Sequence, residues 1–115
     1  MLLAHVVQRV MRPQPIQSQD LCELEFEIDR HSARRARAYL AQMRSRVGDK
    51  RIEVRTAVLG PGDPRTVLAE LAIEEQADLI VMSSHGATNM NDVACGSVAE
   101  YLIDQTCTAL LVVRQ

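Results

Sequence analysis

The sequence predicts an α/β fold: an open, twisted, parallel sheet with helices on both faces. Three observations carry that prediction. Segments of strand character alternate strictly with segments of helical period. The third and fourth strand segments are apolar from Leu79 to Met82 and from Ala109 to Val113, a pattern expected of strands covered on both faces. A loop rich in Ser, Gly and Asn follows the third strand, where open parallel sheets receive ligands.

Taken in order, Leu2 to Val10 is short, rich in branched residues and closed by a proline-bearing loop from Met11 to Gln19, so it reads as a buried strand. From Asp20 the period changes. Leu21, Leu24, Ile28, Ser32, Ala36, Leu40, Met43 and Val47 recur at intervals of three and four, the stripe of an amphipathic helix. Asp20 is placed to cap it, Glu23 stands at the capping-box position, and Gly48 is placed to stop it. Ile52 to Val58 alternates as a second strand and runs into Gly60-Pro-Gly-Asp-Pro64, which reads as a tight turn. Asp63 and Pro64 then open a helix traced by Val67, Leu68, Leu71, Ala72 and Gln76. Asp78 to Met82 is the third strand, Ser97 to Gln105 a short helix, and Ala109 to Arg114 the last strand.

Composition narrows the function. The 115 residues suffice for one domain, and 47% apolar with 24% charged residues is ordinary for a globular, cytoplasmic protein. Aromatic residues make up 3%, without tryptophan, so a platform for stacking single-stranded bases is not expected. A net charge of −2 gives no footprint for a nucleic acid, and no apolar run is long enough to span a bilayer. The arginines at 30, 34, 35, 37, 44 and 46 share one helix with acidic residues and read as a solvated, self-paired face. Cys22, Cys95 and Cys107 are odd in number and lack C-x-x-C spacing, so they read as reduced thiols.

The loop Ser83-Ser-His-Gly86 … Cys95-Gly96-Ser97 carries the chemistry. Gly86 and Gly96 let backbone N–H groups approach an anion without a Cβ in the way. Ser97 is a candidate N-cap whose hydroxyl can donate to a phosphate oxygen, at a helix start whose free N–H groups and dipole favour negative charge. Taken alone, two glycines and a serine serve a turn and a cap equally well.

The wider wording decides between these readings. Asp78-Leu-Ile-Val-Met-Ser-Ser-His-Gly86, Gly96-Ser-Val-Ala-Glu100 and Ala109-Leu-Leu-Val-Val-Arg114 closely resemble the carboxyl-terminal half of universal stress proteins. Nucleotide-binding members carry G-x-x-G, nine residues, then G followed by Ser or Thr; here Ser83-x-x-Gly86 is followed by nine residues and Gly96-Ser97. The resemblance reaches back loosely through Gly62-Asp63-Pro64 to Leu2. It implies a Rossmann-like fold of the adenine nucleotide alpha hydrolase type and binding of ATP or another adenine nucleotide. Gly86, Gly96 and Ser97 would contact phosphates, Val98 would add a backbone N–H, Met82 would line the adenine and ribose side, and Val6 would flank the base. It also implies a homodimer paired through the edge strand Ala109 to Arg114.

Two departures stand out. Ser83 replaces the first glycine of the pattern. The family's opening strand and helix, on the order of 30 to 40 residues with an Asp-Gly-Ser-like turn, have no counterpart, so residues 1–115 correspond to family strands two to five. That opening strand is central in the family's sheet, and its absence would leave unpaired backbone groups at roughly 1–3 kcal/mol each. The expectation is therefore a partial chain, a slot filled by another chain, or strands that pair differently.

The remaining residues are quiet. His85 reads as an exposed loop histidine, His5 as a strand residue that packs or bonds locally, and Cys95 as a small buried hydrophobe. His5 and His31 lack the clustered partners of a zinc site. Ser83, Ser84 and His85 are adjacent without a nucleophile elbow or an orienting acid, and no P-loop lysine is present, so catalysis is not expected. The function expected is a nucleotide-sensing regulatory module; the alternative is a dimerising scaffold of the same fold that binds no nucleotide.

Overall fold

The computed structural model describes residues 1–8, 19–83 and 96–113, in two compact units, Met1–Asp63 and Pro64–Gln115. Each is built on a pair of parallel strands joined through a helix, so the α/β class with parallel strands expected from the sequence is what forms.

In the first unit, strand β1 (Leu2–Gln8) pairs with β2 (Arg55–Gly62), and helix α1 (Gln19–Arg46) lies between them in sequence and packs against both. The Arg55 N–H donates to the Met1 carbonyl at 2.9 Å and extends the ladder. β2 starts later than the alternation from Ile52 suggests. The cause is a turn at Asp49: its carboxylate accepts the Arg51 N–H at 3.0 Å, and its carbonyl accepts the Ile52 N–H at 3.1 Å. The Arg51–Asp49 ion pair, at 3.5 Å and exposed, adds little.

β2 also ends later than expected, because Gly60, Pro61 and Gly62 belong to the strand rather than to a tight turn. The register runs from Leu2 opposite Arg55 to Val6 opposite Leu59, then slips, so that Gln8 faces Gly62. The slip inserts residues into β2 as a bulge does. Gly60 makes it feasible. Its φ is +97°, and a Cβ there would lie 2.5 Å from the Val7 carbonyl oxygen. Only a residue without a side chain lets β1 come so near.

The helical stripe of α1 is buried over its carboxyl half alone. Ala36 and Leu40 are buried, and Met43 and Val47 are half-buried; Leu24, Phe26 and Ile28 are exposed. Length explains the difference. A helix of 28 residues is about 42 Å long, whereas strands of seven and eight residues reach only about 26 Å. The amino-terminal turns of α1 therefore overhang the strands they would need to pack on. Asp20 lies inside the helix, not at its cap. The α1 arginines are exposed as expected, but none of them is ion-paired among the described residues.

The second unit holds helix α2 (Pro64–Glu74), strand β3 (Leu79–Ser83), helix α3 (Ser97–Gln105) and strand β4 (Ala109–Val113). Pro64 opens α2 as expected. Gln76, placed in the helix by its stripe, lies beyond the end with a φ of 49°, and the Ala77 N–H donates to the Ala72 carbonyl at 3.0 Å. That is a left-handed helix stop with glutamine where glycine is usual. α2 packs against α3 around Ala69, Ala72, Ala99 and Leu102, the last only 1% exposed, and Arg65 sits 5.9 Å from the Tyr101 ring centre. Thr106 closes α3: its N–H and hydroxyl both donate to the Leu102 carbonyl, at 3.0 and 2.7 Å.

The two faces of β3 and β4 differ in exposure among the described residues. Leu79, Val81, Leu111 and Val113 share one face of the strand pair and are 47–58% exposed; Ile80, Met82, Leu110 and Val112 on the other face are half-buried. α3 contacts β4 and α2 packs on α3.

Gly60→Ala is expected to destabilise the protein by about 2 kcal/mol, from the strained φ and the clash with β1. Equilibrium urea unfolding measures it; a cost of a few tenths would contradict the close approach.

Candidate functional site

The chemistry expected of residues 82–98 depends on which end of the second unit they occupy. β3 and β4 are parallel neighbours, from Leu79 opposite Ala109 to Ser83 opposite Val113. The chain must therefore travel back along α3 between them. The start of α3 and the carboxyl end of β3 consequently fall at the same end of the unit. Met82, half-buried and opposite Val112, and Ser83, half-buried and engaged by a partner, stand at that end.

Gly96, not Ser97, occupies the N-cap of α3, with φ 7° and ψ 149° and no side-chain cap. The Glu100 N–H donates to the Gly96 carbonyl at 3.2 Å, the first turn of the helical ladder, which sets the cap one residue earlier than expected. Ser97 is thus the first helical residue, exposed, followed by half-buried Val98 and buried Ala99. The N–H groups of these three residues precede the first intrahelical bond and have no acceptor within the helix. With the helix dipole, they form a surface suited to an anion. Glu100, exposed in the first turn, takes part of that positive potential and opposes a second negative charge.

Of the residues singled out in the sequence, Met82, Ser83, Gly96, Ser97 and Val98 lie at this end of the second unit. Gly86, together with Ser84, His85 and Cys95, lies outside the described residues. Val6 belongs to the first unit, half-buried on β1 opposite Leu59. Among the described residues no cluster of three metal-ligating side chains exists, and no helix is long and apolar enough to cross a membrane. Cys107 is a free, exposed thiol.

Sequence reasoning passed over a second polar concavity. In the first unit an open cleft is lined by His5 from β1 and by Ser32, Arg35, Ala36 and Tyr39 from α1. His5 is exposed on its strand, and its side chain has no hydrogen-bond partner among the described residues. The signal was present in the spacing: positions 32, 35, 36 and 39 follow i, i+3, i+4, i+7 and share one face of the helix. It was hidden because that face coincides with the apolar stripe.

The Universal stress protein family matches residues 2–114. Universal stress protein MJ0577 of Methanocaldococcus jannaschii is 28% identical over 93 residues, which are 81% of this chain and 57% of that protein. Universal stress protein MJ0531 of the same organism is 36% identical over 64 residues, 56% of this chain and 37% of that one. The chain thus spans little more than half the length of the first of these relatives. Among solved structures, that of MJ0577 superposes with a TM-score of 0.81 at 25% identity, covering 99% of this chain and 74% of the other. UspA from Lactobacillus plantarum gives a TM-score of 0.83 at 23% identity, covering 98% and 76%, a likeness of fold. With a match that spans nearly every residue and a fold shared along almost the whole chain, the protein belongs to the universal stress protein family.

Proposed function

We propose that this domain binds an adenine nucleotide, ATP foremost, and serves in the cytoplasm as a stress-response regulatory module that senses the nucleotide without turning it over. One observation carries the reading: the uncapped start of α3 and the end of β3 face the same side of one βαβ unit. Ser97, Val98 and Ala99 offer backbone N–H groups to phosphate oxygens there, and the Ser97 hydroxyl adds a donor. Met82 stands beside them as the apolar wall for a ribose or base. Gly86 completes the frame by its place in the sequence. The proposal rests on second-unit residues, and no metal is required by it. Sensing without turnover is part of the proposal: backbone donors and a serine hydroxyl bind charge and do not by themselves activate water.

The test uses Ser97→Asp. An acidic residue in the first turn interacts well with the helix dipole, so the variant should keep or slightly raise stability, by about 0.3–1 kcal/mol. The same charge repels a phosphate, and ATP affinity measured by equilibrium titration should fall by about tenfold or more. Saturable ATP binding that ignores this substitution would remove the proposal. Absence of saturable binding by the parent protein would remove it as well.

A second reading, a dimerising module, is favoured by the bare face of β3 and β4. We propose that two copies associate through β4, the strand from Ala109 toward Arg114, with Leu111 and Val113 covered on association. Leu111→Asp should convert a dimer into a monomer in sedimentation equilibrium at concentrations on the order of 0.1 mM. A parent protein that is already monomeric there contradicts this reading.

A further inference from the structure

We propose that the open cleft between β1 and α1 is a second binding site, for a small organic molecule that carries a phosphate monoester. It rests on residues other than those at the start of α3.

The cleft has a volume of about 330 Å³ and is lined by His5, Ser32, Arg35, Ala36 and Tyr39. Two elements of the same unit build it. The strand contributes His5, held in register opposite Val58, and one stripe of α1 contributes the rest. Ala36, 5% exposed, forms a small, buried floor. A larger side chain at that position would fill the space.

The chemistry of the lining is one-sided. The Arg35 guanidinium brings five N–H donors, the His5 ring an N–H, and Ser32 and Tyr39 one hydroxyl each. No carboxylate among the described residues lines the cleft. Among the described residues none of these four side chains is ion-paired or hydrogen-bonded. A set of donors without an acceptor-only group suits an anion.

Geometry selects the anion. A planar carboxylate is satisfied by the fork of one arginine. Here donors come from two elements, a strand and a helix, which suits the several oxygens of a tetrahedral phosphate. The volume lies at the lower end of small-molecule sites and exceeds what an inorganic ion needs. The exposed Tyr39 ring, 54% accessible, and the Ala36 methyl offer an apolar surface for an organic body attached to that phosphate.

The probe is phenyl phosphate, followed in the intact protein by NMR of the His5 ring and of the α1 amides. Benzoate, inorganic phosphate and sodium chloride serve as comparison anions. Saturable shifts in β1 and α1 that persist in Ser97→Asp are expected, strongest for phenyl phosphate. Arg35→Gln should weaken its binding by about tenfold. Tyr39→Ala should weaken phenyl phosphate more than inorganic phosphate. Both positions are exposed, so neither variant should unfold the protein, and a thermal melt checks this. Ser97→Asp should leave phenyl phosphate binding unchanged, which separates this site from the proposed nucleotide site. Lack of saturation by about 10 mM, tenfold above a millimolar dissociation constant, overturns the proposal. Equal affinity for inorganic phosphate, a preference for benzoate, or indifference to Arg35→Gln overturns it too.

Discussion

Two parallel strands become hydrogen-bonded neighbours only if the chain between them returns over their full length, and a helix is the economical way to return. Both units of this protein are answers to that constraint. In the first, α1 carries the chain back from β1 to β2; in the second, α3 carries it back from β3 to β4. The constraint also locates the chemistry. Because α3 must run opposite to its strands, its uncapped amino end is brought to the carboxyl end of β3, where Met82 and Ser83 stand. The anion site proposed at that end would be a consequence of connectivity before it is a matter of residue choice.

The sequence made much of this legible, for identifiable reasons. α3 has the predicted limits because Gly96 and Thr106 bracket a short amphipathic run. Pro64 marks α2 because its fixed φ suits a first helical turn. Other features depend on what lies next to a residue and not on its type. Gly60-Pro61-Gly62 has the composition of a turn, yet it continues β2, because Gly60 lets the Val7 carbonyl approach where a Cβ would stand. The apolar stripe of α1 carries on past the strands beneath it, since periodicity reports a face but not the length of the partner. The cap of α3 falls on Gly96 because the ladder begins at its carbonyl, which no residue preference reveals.

One face of β3 and β4 is open among the described residues. Leu79, Val81, Leu111 and Val113 were selected as if for an interior, yet about half of each remains accessible. Covering them would contribute on the order of 1 kcal/mol per side chain, a driving force for association of a few kcal/mol. The relatives of known structure are longer than this chain, which covers 74–76% of them.

The claim on which this account most depends is that the amides opening α3 receive phosphate. Backbone NMR of the intact protein titrated with ATP tests it most directly. The account predicts saturable shifts at the amides of Ser97, Val98 and Ala99, larger than those along the rest of α3. Shifts that saturate elsewhere while these three amides stay unmoved would contradict it.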